Sequence, residues 1–235
     1  MEGEMATRKK TASKTSTGGA KIKVSNNGPY LVSGGIPLAE ESIVADSDGA
    51  AAKWRAGKKF STKEKYALCR CGQAATKPYC DGTHQKVNFD GTETASRDRY
   101  LDQAERTDGP ALTLTDAVAL CAGARFCDRA GGIWDLVEQA DDPEAKDIAI
   151  QEAADCPSGR LVVWNENGNP IEPDFTPSIK VVEDPPAGVS GPLWVRGGIP
   201  VESADGTTYE IRNRVTLCRC GRSANKPFCD ASHVQ

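Results

Sequence analysis

Apolar residues in this chain fall in short runs broken by turn-forming residues, and only one stretch has a helical period. Ile22 and Val24 alternate with Lys21 and Lys23, and Tyr30, Leu31 and Val32 form a second run. Asn26-Asn27-Gly28-Pro29 lies between them and predicts a turn, so the segment reads as a small antiparallel unit. Residues 38 to 65 show no clear period and read as irregular. Tyr66, Ala67 and Leu68 predict a short strand. The plan returns late in the chain: SGPLWVRGGIPV from Ser190 to Val201 parallels NGPYLVSGGIPL from Asn27 to Leu38, and Val215 to Leu217 parallels Tyr66 to Leu68. Between the copies, Asp142 as a cap, Pro143 in the first turn and the run to Asp155 predict a helix. Its apolar face is Ile148, Ala149, Ala153 and, less neatly, Ile150. Leu161 to Trp164 predicts a strand, and Asn165 to Asn169 a turn.

Each of the short strands ending at Leu68 and Leu217 runs into cysteines. Cys69 to His84 reads CRCGQAATKPYCDGTH, and Cys218 to His233 reads CRCGRSANKPFCDASH. Both keep one spacing: Cys-x-Cys, eight residues, Cys, three residues, His. The chain has only two histidines, and both complete this pattern. Thiolate and neutral imidazole bind borderline-soft metals. A Cys with a His four residues on suits the first turn of a helix, where both share a face; Asp81 and Asp230 are candidate caps for that turn, and Pro78 and Pro227 fix the approach to it. Three readings compete: a three-Cys, one-His zinc site, an iron–sulfur cluster with imidazole on one iron, and ordinary buried or disulfide-bonded cysteines. The duplicated spacing argues against the last. Zinc sites favour wider Cys pairs than Cys-x-Cys, which leans toward a cluster.

Cys-x-Cys followed by Lys-Pro-Tyr-Cys-Asp-Gly-Thr-His closely resembles the CDGSH iron–sulfur family, the mitoNEET-type proteins, and does so twice. The resemblance implies a 2Fe–2S cluster per motif. It places Cys69 and Cys71 on one iron with Cys80 and His84 on the other, and likewise Cys218 and Cys220, then Cys229 and His233. The histidines are expected to ligate through Nδ1. Single-motif relatives pair as two-fold dimers, so a double copy implies an intrachain pseudo-dimer. The sequence departs from the family pattern at Ala74, where Ser or Thr is usual and which Ser223 keeps in the second copy, and at Ala231, which replaces glycine. If that position has a positive φ, alanine strains it. The second motif ends two residues before the last residue, Gln235, so a thinner covering shell is expected there.

The remaining cysteines are Cys121, Cys127 and Cys156. Cys-x5-Cys, a helix, then Cys-Pro-Ser-Gly and a strand resembles single-cluster bacterial ferredoxins. Ala124 stands at the middle ligand position and cannot bind iron. Three cysteines imply a 3Fe–4S cluster, with a 4Fe–4S cluster completed by water or an unidentified carboxylate second; plain burial of small thiols is the less favoured alternative. Four scattered tryptophans read as packing residues.

With 38% hydrophobic and 6% aromatic residues against 23 Gly and 14 Pro, one large core is not expected, and metal centres would add folding energy. A net charge of -4 gives no reason to expect a nucleic-acid or membrane partner. No apolar stretch is long enough to span a bilayer, and MEGEMATRKK lacks a secretory apolar region. Nine cysteines without such a signal point to metal ligation in a cytoplasmic setting. The expected fold is α+β: a disordered basic tail over 1–20, or a docking tail for an acidic redox partner; a β-rich CDGSH module over 21–94; a ferredoxin-like α+β segment over 95–180; and a second module over 181–235. The expected function is one-electron transfer or redox sensing by a monomer facing a redox partner. Cluster transfer or repair toward an apo-acceptor protein, or a structural zinc scaffold, are the alternatives. No dinucleotide fingerprint or catalytic triad is present, so an enzyme is not expected.

Overall fold

The computed structural model describes residues 19–235; the basic tail expected over 1–20 falls outside them except for its last two positions. The elements in chain order are β1 (Lys21–Val24), β2 (Tyr30–Ser33), β3 (Leu38–Ala45), β4 (Ala51–Phe60), β5 (Lys65–Leu68), α1 (Thr83–Lys86), α2 (Tyr100–Gln103), β6 (Glu105–Asp108), β7 (Thr113–Asp116), α3 (Ile133–Glu138), α4 (Pro143–Asp155), β8 (Leu161–Trp164), β9 (Pro170–Ile171), β10 (Ser178–Asp184), β11 (Val189–Arg196), β12 (Val201–Glu202) and β13 (Arg214–Leu217). The α+β class follows directly. Strand β10 runs across the boundary expected at 180 and 181.

The strands form three sheets, ordered β12-β1-β2-β5, β13-β11-β10-β3-β4 and β6-β7-β8-β9. In the first two, the repeats trade strands. Strand β1 pairs in parallel with β12, with Ile22 opposite Val201. Reciprocally, β10 pairs in parallel with β3, with Ile179 opposite Leu38. Leu38 and Val201 each follow a Gly-Gly-Ile-Pro and hold the same place in the two copies. The glycines supply positive φ there, as at Gly34 (φ 87) and Gly197 (φ 79), which turns the chain from its own sheet toward the other. The inward faces then fuse into one core containing Ile22, Tyr30, Leu38, Ile179, Leu193 and Val201, all buried. Each such side chain contributes roughly 1.5–3 kcal/mol by leaving water, and the contribution needs both repeats.

The segment read as irregular, 38 to 65, is instead the long hairpin β3–β4, closed by a turn in which Asp46 Oδ1 accepts from Asp48 N and Ala50 N, both at 2.9 Å. Its alternation is masked by polar residues inside the sheet. Glu41 and Ser42 are buried, and Glu41 pairs with Lys180 at 2.9 Å. On the outer edge β4 carries Lys53, Arg55, Lys58 and Lys59, which suits an unpaired strand edge.

In the third sheet α3 and α4 cover β7 and β8, around Leu114, Ile133, Val137, Ala149, Leu161 and Val163. Asp142 caps α4 by accepting from Glu144 N at 3.0 Å, as expected. The buried face is Ala145, Ala149, Glu152 and Ala153; Ile148 and Ile150 are only partly covered, and the buried Glu152 was not anticipated. Trp54 packs against both Trp194 and Phe126, with centroids 4.9 and 4.7 Å apart, and joins β4 to the middle segment. No helix among the described residues is long and apolar enough to cross a membrane.

Candidate metal centres

Both CDGSH-like loops are built the same way. Strand β5 ends at Leu68, and Cys69 N donates to Pro78 O at 2.8 Å while Cys80 N donates to Ala67 O at 3.0 Å. In the second copy Cys218 N donates to Pro227 O at 2.8 Å and Cys229 N to Thr216 O at 2.9 Å. The loop is thus folded back along its strand, bringing the third cysteine beside the first two. Asp81 accepts from Thr83 N at 3.0 Å and from Ala75 N at 2.7 Å; Asp230 does the same for Ser232 N and Ala224 N, at 3.0 and 2.7 Å. These aspartates tie the turn that carries His to the loop before it. The helical turn expected there forms only as the single turn α1 in the first copy and as a turn in the second.

The donors stand in pairs. Cys69 Sγ and Cys71 Sγ are 3.8 Å apart, and Cys80 Sγ and His84 Nδ1 3.4 Å. In the second copy the distances are 3.6 Å for Cys218 and Cys220, and 3.5 Å for Cys229 and His233 Nδ1. Two ligands on one tetrahedral metal, with sulfur at ~2.3 Å and nitrogen at ~2.0–2.1 Å, lie roughly 3.5–3.8 Å apart. Each pair therefore fits one metal vertex, through Nδ1 in both histidines. Among the described residues, no three Cys, His, Asp or Glu side chains converge as a single ion requires. The donors of each motif thus stand as two pairs, each spaced for one metal.

Burial pushes the Cys229 thiol up to about 12 and raises Cys71. Cys220 is lowered because the Cys218 thiol donates to it, and Cys218 is raised in turn. A metal would displace protons from these thiols. The residue inside each Cys-x-Cys was missed by sequence reasoning: Arg70 and Arg219 are both buried. Arg70 Nη2 donates to Gly91 O at 2.6 Å, and Arg219 Nη2 to Val182 O at 2.8 Å, so each puts a guanidinium behind a thiolate loop. Identity between the two copies was the available signal. Ser223 Oγ donates to Phe228 O at 2.8 Å and accepts from Asn225 N at 3.0 Å inside the second loop, a brace that Ala74 cannot provide in the first.

The two loops lie back to back. A Cβ on Gly72 would come within 2.5 Å of Cys220 O, and one on Gly221 within 2.7 Å of Cys71 O. Only glycine permits this approach. Gly82 has φ 86, and Ala231 has φ 67, so alanine does sit in a left-handed conformation.

The thinner shell expected around the second motif is not what forms. The Cys-x-Cys pairs differ little, Cys69, Cys71 and Cys218 being buried and Cys220 half-buried, but Cys229 and His233 are buried whereas Cys80 and His84 are half-buried. The covering comes from the middle segment, where Gly123 stands against Ala231 and Val234 and Ala119 O accepts from Asn225 Nδ2.

Cys121, Cys127 and Cys156 line one cavity with Ala124, Arg125, Phe126, Pro157 and Arg160. No carboxylate is among the described residues lining it. Burial pushes the Cys127 thiol up to about 11, with Cys156 and Cys121 adding to the rise and Arg160 opposing it. Arg160 pairs with Asp116 at 2.5 Å and lines the same cavity as the three sulfurs; sequence reasoning had no cue for it. None of the nine cysteines is in a disulfide.

No curated protein matches the chain. Residues 27–85 and 190–234 match the family model described as iron-binding zinc finger, CDGSH type. Residues 107–166 match the model described as divergent 4Fe-4S mono-cluster. The chain thus carries two CDGSH-type iron-binding regions with a divergent 4Fe-4S region set between them, which together mark it as an iron–sulfur protein.

Proposed function

We propose that the chain is a monomeric cytoplasmic electron carrier or redox sensor, an intrachain pseudo-dimer with three iron–sulfur sites and no enzymatic turnover of its own. The observation that carries this reading is the paired donor geometry, Cys-Cys at 3.8 and 3.6 Å and Cys-His at 3.4 and 3.5 Å, repeated in two motifs that touch. Cys69, Cys71, Cys80 and His84 would hold one 2Fe–2S cluster, and Cys218, Cys220, Cys229 and His233 the other. Cys121, Cys127 and Cys156 would hold a cluster with three protein ligands, for which 3Fe–4S fits best, since neither a fourth thiol nor a carboxylate is among the described residues lining that cavity. A 4Fe–4S cluster with a non-protein ligand is the second choice, and the family description of the middle region favours it. Bound clusters would supply one-electron redox chemistry at potentials set by ligand type, hydrogen bonding and exposure. The chain's own part is to position thiolates and imidazoles, to brace the two loops through Arg70 and Arg219, to set Arg160 against the middle thiols, and to hold the sites together.

Cluster delivery to an apo-acceptor is the second reading, favoured by the half-exposed His84. Anaerobic purification with iron, sulfide and zinc counts, followed by EPR of oxidised and reduced samples, tests the assignment. Two histidine-ligated 2Fe–2S signals and one distinct third signal are expected. A colourless protein with zinc and no sulfide would replace it by a structural scaffold.

A further inference from the structure

The two CDGSH motifs have equivalent donors but unequal surroundings. Around the second, the loop after Cys121 closes in: a Cβ on Gly123 would lie 3.2 Å from Ala231 Cβ and 3.0 Å from Val234 Cγ2. Asn225 Nδ2 donates to Ala119 O at 2.8 Å, and Arg125 pairs with the buried Asp184 at 2.8 Å. Thr94 N and Ala95 N both donate to Lys226 O, at 2.8 and 2.9 Å. His233 is left 8% exposed and Cys229 2%. The first motif has none of this cover at the matching positions. Nothing stands within 4 Å of a Cβ built on Gly82, the counterpart of Ala231. Thr76, the counterpart of Asn225, is exposed. His84 lines an open concavity with Asn26, Asn27, Gln85, Asn88, Phe89 and Asp90.

We infer that the middle segment has closed the Cys229–His233 side of the second motif, so that exchange with an acceptor protein is confined to the first motif, whose Cys80–His84 side is open. The concavity at His84 is then the docking face, and the partner it fits is an apo-protein presenting free thiols, which must reach the half-buried Cys80 and His84. Its rim is mostly amide, from Asn26, Asn27, Gln85 and Asn88, so recognition there rests on hydrogen bonding more than on charge. This inference rests on the iron–sulfur assignment and on the cluster-delivery reading above, and it adds to the latter which motif delivers.

The test follows thiols rather than activity. The loaded full-length chain is mixed with excess apo-ferredoxin, sampled over time, alkylated with iodoacetamide and mapped by mass spectrometry. Cys80, half-buried, should become alkylated at least about tenfold faster than its counterpart Cys229, which is buried and must await local opening. Equal rates at the two, or faster labelling of Cys229, would overturn the inference. An Asn225→Ala, Arg125→Ala double variant should speed labelling of Cys229 several-fold and leave Cys80 unchanged; no change would show that the middle segment is not the seal. Metal counts on the same sample separate the two claims. Zinc in place of iron overturns the iron–sulfur reading and the exchange with it, whereas iron with symmetric labelling overturns only the asymmetry.

Discussion

Glu152 gives the sharpest test of the energetics. It lies on α4 with 0% of its surface exposed. Its Oε1 accepts from Ala130 N at 3.1 Å, Oε2 has no hydrogen-bond partner, and Arg129 Nε stands 4.0 Å away. Burial raises the carboxyl from 4.5 to about 7, and Arg129 offsets this only in part. The folded state thus holds a proton that the unfolded chain gives up from about pH 4.5 onward, so stability falls as pH rises and the loss is complete only above about pH 7. The gap amounts to about 3 kcal/mol in full and about 1.3 kcal/mol between pH 6 and pH 8. Urea unfolding of parent and Glu152→Gln, followed by circular dichroism at pH 6, 7 and 8, isolates the contribution. The difference between the two proteins should shift by about 1.3 kcal/mol over that range, with the parent losing ground at high pH. A constant difference, or a parent that gains on the variant as pH rises, would refute the reasoning.

Gly82→Ala should destabilise by about 1 kcal/mol, roughly 2–4 °C in Tm, because φ 86 strains a Cβ that has no contact to offset it. Ala231→Gly should change Tm less, since relief at φ 67 is offset by a gap opened beside Gly123; calorimetry on both decides, and a rise in Tm for Gly82→Ala would count against the strain. Tyr30→Phe leaves Cys218 O and Pro227 O without the hydroxyl now 2.7 and 3.0 Å away, and should cost about 1–2 kcal/mol in urea unfolding. Cys121→Ser should abolish one EPR signal and spare the two histidine-ligated centres; survival of every signal would show that the middle cavity holds no cluster.

The ligand loops were legible because chemistry and repetition coincide: Cys, Cys, Cys and His recur at fixed spacing, and short apolar runs precede both copies. The helix from Pro143 was legible for a local reason, its Asp142 cap. The hairpin β3–β4 was not, since Glu41 and Ser42 occupy interior positions whose partners, such as Lys180, lie far away in sequence. Nor was the cover over the second motif, because Gly123 and Ala231 meet only after the middle segment folds back. Arg160 was invisible for the same reason: its worth comes from standing beside three sulfurs, and its neighbours in sequence do not foretell that.

Because β12 finishes the first sheet and β3 reaches into the second, neither half of the chain can be cut away cleanly. Severed between the motifs, the pieces would each present a raw strand edge shaped for the other. Mixed, they should find one another and rebuild the whole, which makes this chain a natural candidate for a split reporter whose colour returns on reassembly.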